Sequence, residues 1–575
     1  PRMGRWVDFE NSYQTMDFEF MNSTWGVFKR IFDKGLIYRS LTPMPYSTGC
    51  GSCLSHFEAK SNYQDTQDPS VVVKFKINNL PFATNATIYF LVWTTTPYSL
   101  TGNMALCINS KIKYSIVEVK LITKDGTLID DPENKNSLFI MATESIKNWG
   151  TKTKTLQVYK EIDVSLLIGV EYTPPFSFNN HLAENNPKVF TVLEDSYVKV
   201  EAGTGIVHLA PGMGEDDFRV CLREGLIDQR NMETIPCPID DKGCLTVKDS
   251  NYEGQYVKNA DKIIVKNLTS KGMIWDAKTI QHSYPFCYRT DTPLIQKSIS
   301  AWFIDVHSIN DKIIDLNKGI HWVPSNVGDA RFAQWLSTPR DWSFGRNRFW
   351  GTPVPLWVND DFSEIICVGS AVELESLAGL EHGSITDLHR EFLDDIKIPS
   401  KKVPGTFLHR INDVFDCWFE SGSMPYGKFA VERKLKGSEI YDLLSGTNKK
   451  LLKEFLKYFP ADFIGEGLDQ TRGWFYTLLV LSTILFENTA YKNVIVNGLI
   501  LSADPNNTGK WIKMSKRYKN YPNPEEVLVK YGADALRLYL LDSPVTHSEP
   551  LKFQEEGLQL KSKFLIQLFN CFEFL

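Results

Sequence analysis

Apolar residues recur at helical spacing over residues 16–35. Phe20, Trp25, Phe28, Ile31 and Phe32 fall on one face, and Gly35 supplies a stop. The pattern predicts an amphipathic helix, followed by a loop rich in Pro, Ser, Gly and Cys over residues 43–53. After about residue 65 the texture changes. Residues 71–77, 86–96, 189–193 and 205–209 are β-branched or aromatic runs that read as strands, with polar, Asn-rich loops between them. This mainly β stretch extends to about residue 275. From about residue 290, short apolar strands alternate with longer helices. Residues 493–501 read as one strand, residues 469–486 as a helix capped by Asp469, and residues 532–541 as a helix stopped by Pro544. Such alternation predicts an α/β fold with a parallel sheet. After residue 551 the pattern is helical.

Composition narrows the class. The chain has 575 residues, 43% hydrophobic and 23% charged, which is ordinary globular usage and excludes disordered or collagen-like chains. That length suggests roughly four domain-sized parts. Its 63 basic and 69 acidic residues give a net charge of −6, so a global basic field for coating nucleic acid is excluded. Ten cysteines over this length are too sparse for a disulfide framework and favour a cytoplasmic compartment. The most apolar helix-like run, residues 476–486, is too short to span a bilayer. The chain begins at Pro1 with residues that read as the inside of a domain, and is expected to be a piece of a longer protein.

Candidate chemistry begins with Lys513-Met514-Ser515-Lys516-Arg517. Two lysines three residues apart can neutralise charge developing on a departing pyrophosphate. A solvated basic loop is the plainer alternative. Upstream, Glu466, Gly467, Asp469, Gln470 and Trp474 lie at a strand-to-helix junction. The glycine-flanked acid there suits an ammonium or a ribose hydroxyl. Asp416-Cys417-Trp418 with Ser421 and Gly422 forms another such junction. Arg346 and Arg348 stand beside the aromatics Phe349 and Trp350, a pattern suited to phosphate or an RNA end.

Two motifs mark the β stretch. Thr94, Thr95 and Thr96 end a strand and are followed by Pro97 and Asn103. Their hydroxyls suit an ester, a ribose or another small polar group, although threonine is also an ordinary strand residue. The second motif runs from Gly203 through His208 to Glu215, Asp216 and Asp217. A strand delivers the histidine, and acids open a helix, where they also serve as dipole partners. Together they can present a carboxylate to a substrate ammonium and an imidazole to an ester.

The ordered set resembles the class I aminoacyl-tRNA synthetases, and within them the isoleucyl branch of eukaryotic cytoplasmic type. The residues that carry the resemblance are 348–357, 414–426, 465–475, 513–517 and 532–540, together with the two insertion motifs. It implies a Rossmann-like catalytic domain (residues 1–65 and 276–550) interrupted by a mainly β editing insertion (66–275), with the start of an α-helical anticodon-binding domain at 551–575. It implies ATP-dependent ligation of isoleucine to its tRNA. Lys513, Ser515 and Lys516 would act on the phosphates. Glu466, Gly467, Asp469, Gln470 and Met514 would hold ATP or the adenylate, and Trp418, Ser421 and Trp474 the side chain. Arg346 and Arg348 would meet the tRNA end. ATP would come with Mg²⁺, and the implied partners are isoleucine-specific tRNA, isoleucine and other synthetases, with no membrane.

The resemblance also implies editing of valyl-tRNA by Thr94, Thr95, Thr96, Asn103, His208 and Asp217, with Asp217 binding the α-ammonium. An apolar pocket separates side chains differing by one methylene by only about 1–3 kcal/mol, a limit for which isoleucine against valine is the standard worked case. Valine and leucine enzymes usually carry arginine where Thr96 stands here. Tyr98-Ser99 and Thr101-Gly102 depart from the common Trp-Thr and Pro-Ser.

The family's upstream His-x-Gly-His signature does not occur, so this polypeptide is expected not to form the adenylate by itself. Cys50 and Cys53 make a tight pair, and Cys287 with Thr290 sits where bacterial relatives have a second C-x-x-C. Zinc on Cys50, Cys53 and Cys287 therefore wants a fourth ligand, with His56 and His282 nearby in sequence. Two other readings stay open: a noncatalytic RNA-binding relative, and a stand-alone aminoacyl-tRNA deacylase.

Overall fold

In a computed structural model of the chain, residues 2–54, 59, 62–80, 86–123, 125–134, 136–151, 153–200, 203–229, 231–248, 250–436, 438–504, 509–514 and 520–575 are described. They form two compact units, residues 1–38 with 302–575, and residues 39–301. The chain leaves the first unit along the strand Ile37–Ser47 and returns along Ile295–Ile304. The expected insertion, 66–275, lies inside the second unit.

The first unit is α/β. The helix Phe18–Asp33 forms where the apolar spacing predicts it and buries Phe20, Trp25, Phe28 and Ile31. Trp25 can sit fully buried because its indole N–H donates to the Pro353 carbonyl at 2.8 Å. Three parallel strands, His321–Val323, Asn493–Asn497 and Ile464–Gly467, lie side by side in that order. The helix Trp474–Phe486 is apolar nearly all round and is buried accordingly.

Two expectations need correction here. The run 493–501 is two strands, Asn493–Asn497 and Ile500–Ala503. Gly498 parts them because the Glu549 backbone comes so near that an added Cβ would lie 1.9 Å from its carbonyl oxygen. The helix expected over 469–486 is a 3₁₀ turn, Leu468–Arg472, and then the α-helix from Trp474. Its first free N–H, on Trp474, is taken by the Gln470 side-chain oxygen at 3.1 Å, not by Asp469.

The second unit is built on an eight-stranded sheet. Tyr63–Ile77 pairs with Thr87–Thr94 and Ile274–Pro285, and Thr87–Thr94 runs parallel to Ser137–Ala142. Alternation sends Val71, Val73 and Phe75, with Phe90 and Val92, into the larger core, while Val72 and Leu91 serve a smaller one on the other face. A second sheet of three strands, Val192–Glu194, Ala105–Ile108 and Val207–Leu209, packs into the larger core. The helices Glu215–Arg223 and Val257–Ser270 complete the unit.

Candidate functional site

In the second unit the two insertion motifs meet. Thr94 ends its strand on the face of Phe90 and Val92 and is buried; Thr95 and Thr96, just beyond it, are half-buried. Thr94 Oγ1 accepts from the Thr96 N–H at 3.1 Å and lies 3.4 Å from Thr96 Oγ1. The 3₁₀ turn Pro97–Gly102 then brings Ser99 Oγ to 3.1 Å from Thr96 Oγ1 and 3.0 Å from His208 Nε2. Two residues past His208, the Ala210 N–H donates to Asp217 Oδ2 at 2.9 Å. Polar contacts thus run from the threonines to His208, and the backbone just beyond it holds the acid.

These contacts also fix the histidine. The Ser99 hydroxyl donates to the Thr96 carbonyl at 2.7 Å. With that proton used, His208 Nε2–H is the donor to Ser99 Oγ, which leaves Nδ1 as the unprotonated nitrogen. Nδ1 is buried without a partner among the described residues. Burial lowers the imidazole pKa to about 4. The ring is therefore neutral, with one nitrogen bonded and the other enclosed.

Asp217 is half-buried in the first turn of Glu215–Arg223, a favourable place for a carboxylate. Burial pushes it up to about 7, against the opposing pull of the Ala210 N–H. The Tyr197 hydroxyl stands 3.4 Å from its other oxygen. Its helix is anchored by Asp195, which takes Arg219 in a two-pronged pair at 2.9 and 3.0 Å and also Arg223. The Arg219 guanidinium holds the Asp195 carboxyl well below the usual range. Below the threonine turn, the buried Asp261 accepts the Tyr98 N–H at 2.7 Å. Asp195, Tyr197 and Asp261 carry no motif signal, and Ser99 stands out only as a departure from the common residue.

Asn103 is placed differently from the expectation. It is buried, its amide donates to the Ala105 carbonyl at 3.0 Å, and its oxygen accepts from the Tyr172 hydroxyl at 2.8 Å. It holds the turn in place and does not open on the site.

In the first unit, Glu466 and Gly467 end the strand Ile464–Gly467. Asp469, just beyond, pairs with Lys513 at 3.2 Å, which joins the glycine-flanked acid motif to the start of the basic loop. Met514 N donates to the Ile500 carbonyl at 3.2 Å. Ser515, Lys516 and Arg517 lie outside the described residues. Trp418, Ser421 and Trp474 come together: the Trp474 indole N–H donates to the Ser421 carbonyl at 2.9 Å, and the Trp418 ring closes on Gly473. A cleft of about 500 Å³ opens beyond the carboxyl ends of the parallel strands, lined by Pro324, Asn326, Arg331, Leu468, His547 and Glu549 among others. Open parallel sheets bind ligands at that end. Arg331 and His547 line the cleft without belonging to any of the sequence motifs.

Arg346 is a brace. Its guanidinium donates to the carbonyls of Ser343 and Gly345 at 2.8 Å each and to Asp416 at 2.6 Å. Its expected role at an RNA end is not what this geometry serves. Arg348 is half-buried beside Phe349 and Trp350, which are 61% and 63% exposed.

The cysteines come together only in part. Cys50 and Cys287 have their sulfurs 3.6 Å apart. Burial raises the Cys287 thiol, but hydrogen bonds from Ser47, Thr290 and two backbone N–H groups outweigh it and bring it down to about 7. His282 is spent on Asp68 at 3.0 Å, and His56 lies outside the described residues. No group of three or more His, Cys, Asp or Glu that could hold a metal exists among the described residues, so those residues do not fit a four-ligand zinc site.

A family model described as tRNA synthetases class I (I, L, M and V) matches residues 1–552. The chain is 45% identical over 577 residues to the cytoplasmic isoleucine–tRNA ligase of Mus musculus, covering 100% of this chain and 42% of that one. It is 46% identical over 578 residues to the cytoplasmic isoleucine–tRNA ligase of Saccharomyces cerevisiae, covering 100% and 49%. It is 44% identical over 576 residues to the isoleucine–tRNA ligase of Bdellovibrio bacteriovorus, again covering 100% and 49%. The chain spans about half the length of the curated relatives it matches.

Proposed function

The chain belongs to the class I tRNA synthetases of the I, L, M and V group, and on that premise we propose that it carries the editing centre of a cytoplasmic isoleucine–tRNA ligase, which hydrolyses valyl-tRNA, and the binding groups of part of its ligation centre. Residues 1–65 and 276–550 serve ligation, 66–275 serve editing, and 551–575 begin a helical anticodon-binding domain. Relatives at 44–46% identity bearing the isoleucine name support the substrate.

In the ligation centre, ATP with Mg²⁺ and isoleucine meet beyond the strand end at Gly467. Lys513 exchanges Asp469 for the phosphates and, with Ser515 and Lys516, offsets the charge that develops as pyrophosphate leaves. Glu466, Asp469 and Gln470 position the adenylate, and Trp418, Ser421 and Trp474 wall the side chain. Arg348 with its exposed aromatic neighbours takes the tRNA end.

In the editing centre, Asp217 accepts the α-ammonium of the aminoacyl ester, and the hydroxyls of Thr94, Thr95 and Thr96 orient water. Water adds to the ester carbonyl carbon, the carbon–oxygen bond to the ribose breaks, and the ribose oxygen takes up a proton. Valine leaves as the free acid. The neutral, enclosed ring of His208 limits the size of side chain admitted, which makes this the smaller of two sieves. The observation that carries the reading is the 3.0 Å contact of Ser99 Oγ with His208 Nε2, which welds the two motifs into one site.

The test is hydrolysis of pre-charged tRNA by this chain. Valyl-tRNA of the isoleucine isoacceptor should be deacylated at least about tenfold faster than isoleucyl-tRNA, the order that one methylene allows. Equal rates, or none above the spontaneous rate, would sink the editing assignment.

A further inference from the structure

A second cleft in the 39–301 unit has no part in either centre. Its volume is about 480 Å³, within the range of small-molecule sites. Phe176, Phe178 and Tyr252 supply flat apolar wall, Asn251 and Asn267 supply amides, and Lys271 supplies a cation. Phe176 stacks on Phe178 at 5.4 Å and meets Tyr252 edge-on at 5.7 Å. The Lys271 ammonium stands 5.9 Å over the Phe176 ring. None of the lining residues is acidic. The helix that carries Asn267 also exposes Lys262 and Lys266, one turn apart and so on one face.

Aromatic faces for stacking, amides for a base edge and a cation without a competing carboxylate form the combination that accepts an unstacked nucleotide. We propose that this cleft binds one unpaired nucleotide of the tRNA, base against the aromatic wall and phosphate on Lys271. This rests on the reading that the 39–301 unit acts on aminoacyl-tRNA.

The cleft is wired to the editing turn. Its wall begins at Thr173, next to Tyr172, whose hydroxyl donates to Asn103. Asn179, between the lining residues Phe178 and Asn180, donates to the carbonyls of Thr101 and Asn103 at 3.2 and 3.1 Å. An occupant that orders residues 173–180 therefore orders the turn holding Ser99 against His208, so the contact favours cognate-length tRNA over its isolated 3′ end.

The test uses the chain with Lys271→Gln, a surface change, and Phe176→Ala, with uncharged isoleucine tRNA as the probe. Lys271→Gln should weaken tRNA binding about fivefold and reduce the slope of log affinity against log salt by about 1, the signature of one lost phosphate contact. Phe176→Ala should weaken binding by about tenfold with the slope retained. Unchanged affinity and slope in Lys271→Gln overturn the proposal, and that result is independent of whether the chain hydrolyses anything. A companion assay compares valyl-tRNA with 3′-valyl-adenosine. The variants should raise KM for the former about fivefold and leave the latter within twofold. Equal losses on both substrates would mean a structural defect in the turn and would likewise overturn it.

Discussion

The two proposed centres handle polar groups in opposite ways. In the 39–301 unit, His208 is 8% exposed and Thr94 6%, and the hydroxyls of Thr94, Thr96 and Ser99 and the Nε2 of His208 are already in contact with one another. In the other unit the facing charges are open to water: the Lys513 and Asp469 side chains are 56% and 49% exposed. A pocket that must exclude an extra methylene needs walls that do not yield, and buried, mutually bonded groups provide them. A centre that takes up and releases a triphosphate needs groups that can leave one partner for another at little cost, which exposed ion pairs allow. Rigidity and exchangeability are thus divided between the units.

Removing the acid is the strongest way to break this contrast. Asp217→Ala should lower deacylation of valyl-tRNA by at least about a hundredfold, the order seen when one charge-stabilising group is lost from an enclosed site. Circular dichroism should be unchanged, because the helix keeps Glu215 and Asp216 in its first turn and the Asp195–Arg219 pair. Hydrolysis at the parent rate would take Asp217 out of the site. A smaller break comes from Ser99→Ala. His208 Nε2 would then be unpartnered beside an Nδ1 that already is, at a cost of about 1–3 kcal/mol. The expected readout is a lower denaturation midpoint with about tenfold slower hydrolysis. Full stability in Ser99→Ala would mean that the histidine is held by packing alone.

Much of the α/β and β division is legible from periodicity, because the β-branched and aromatic run of Thr87–Thr94 and the helical spacing of Phe20, Trp25, Phe28 and Ile31 in Phe18–Asp33 mark the residues that the fold buries. The break at Gly498 is not, since it depends on the Glu549 backbone, which is distant in sequence and has no pattern of its own. The sites divide in the same way. Threonines ending a strand and acids opening a helix signal themselves by type and place. Asp195 and Asp261 do not, since an isolated acid in a loop or mid-helix looks like surface until its burial and partners are seen. Arg346 misleads for the reverse reason. Its charge suggests RNA, yet carbonyls of its own turn and Asp416 take up its guanidinium.

Acidity sharpens the comparison at smaller amplitude. Asp217 must be ionised to hold an ammonium, and burial has moved it to about 7. Hydrolysis should therefore rise several-fold from pH 6 to pH 8. Stability moves the other way. Below the ordinary carboxylate pKa both folded and unfolded chains hold the proton. Above it only the folded chain does, so stability is lost as pH rises towards and through about 7. Asp261, also pushed up to about 7 by burial, adds a change of the same sign. Asp217→Asn should abolish the pH dependence of hydrolysis and lessen, without removing, that of stability. A flat activity profile in the parent chain would mean that Asp217 stays ionised throughout.

The smallest expected effect probes the open centre. Lys513 and Asp469 face each other at 3.2 Å with both side chains about half exposed. Water screens such a pair, and holding two mobile side chains together costs entropy. A double-mutant cycle of Lys513→Gln and Asp469→Asn, read by chemical denaturation, should give a coupling of about 0.2–1 kcal/mol. It should shrink further in 0.5 M salt, at which the screening length falls to roughly 4 Å. Asp469→Asn frees Lys513 without adding a charge, so it should not weaken ATP binding through this contact. A coupling above about 2 kcal/mol, or one indifferent to salt, would mean that the pair is a fixed strut and that the lysine is not available to the phosphates. The division between a rigid centre and an exchangeable one would then fail on the exchangeable side.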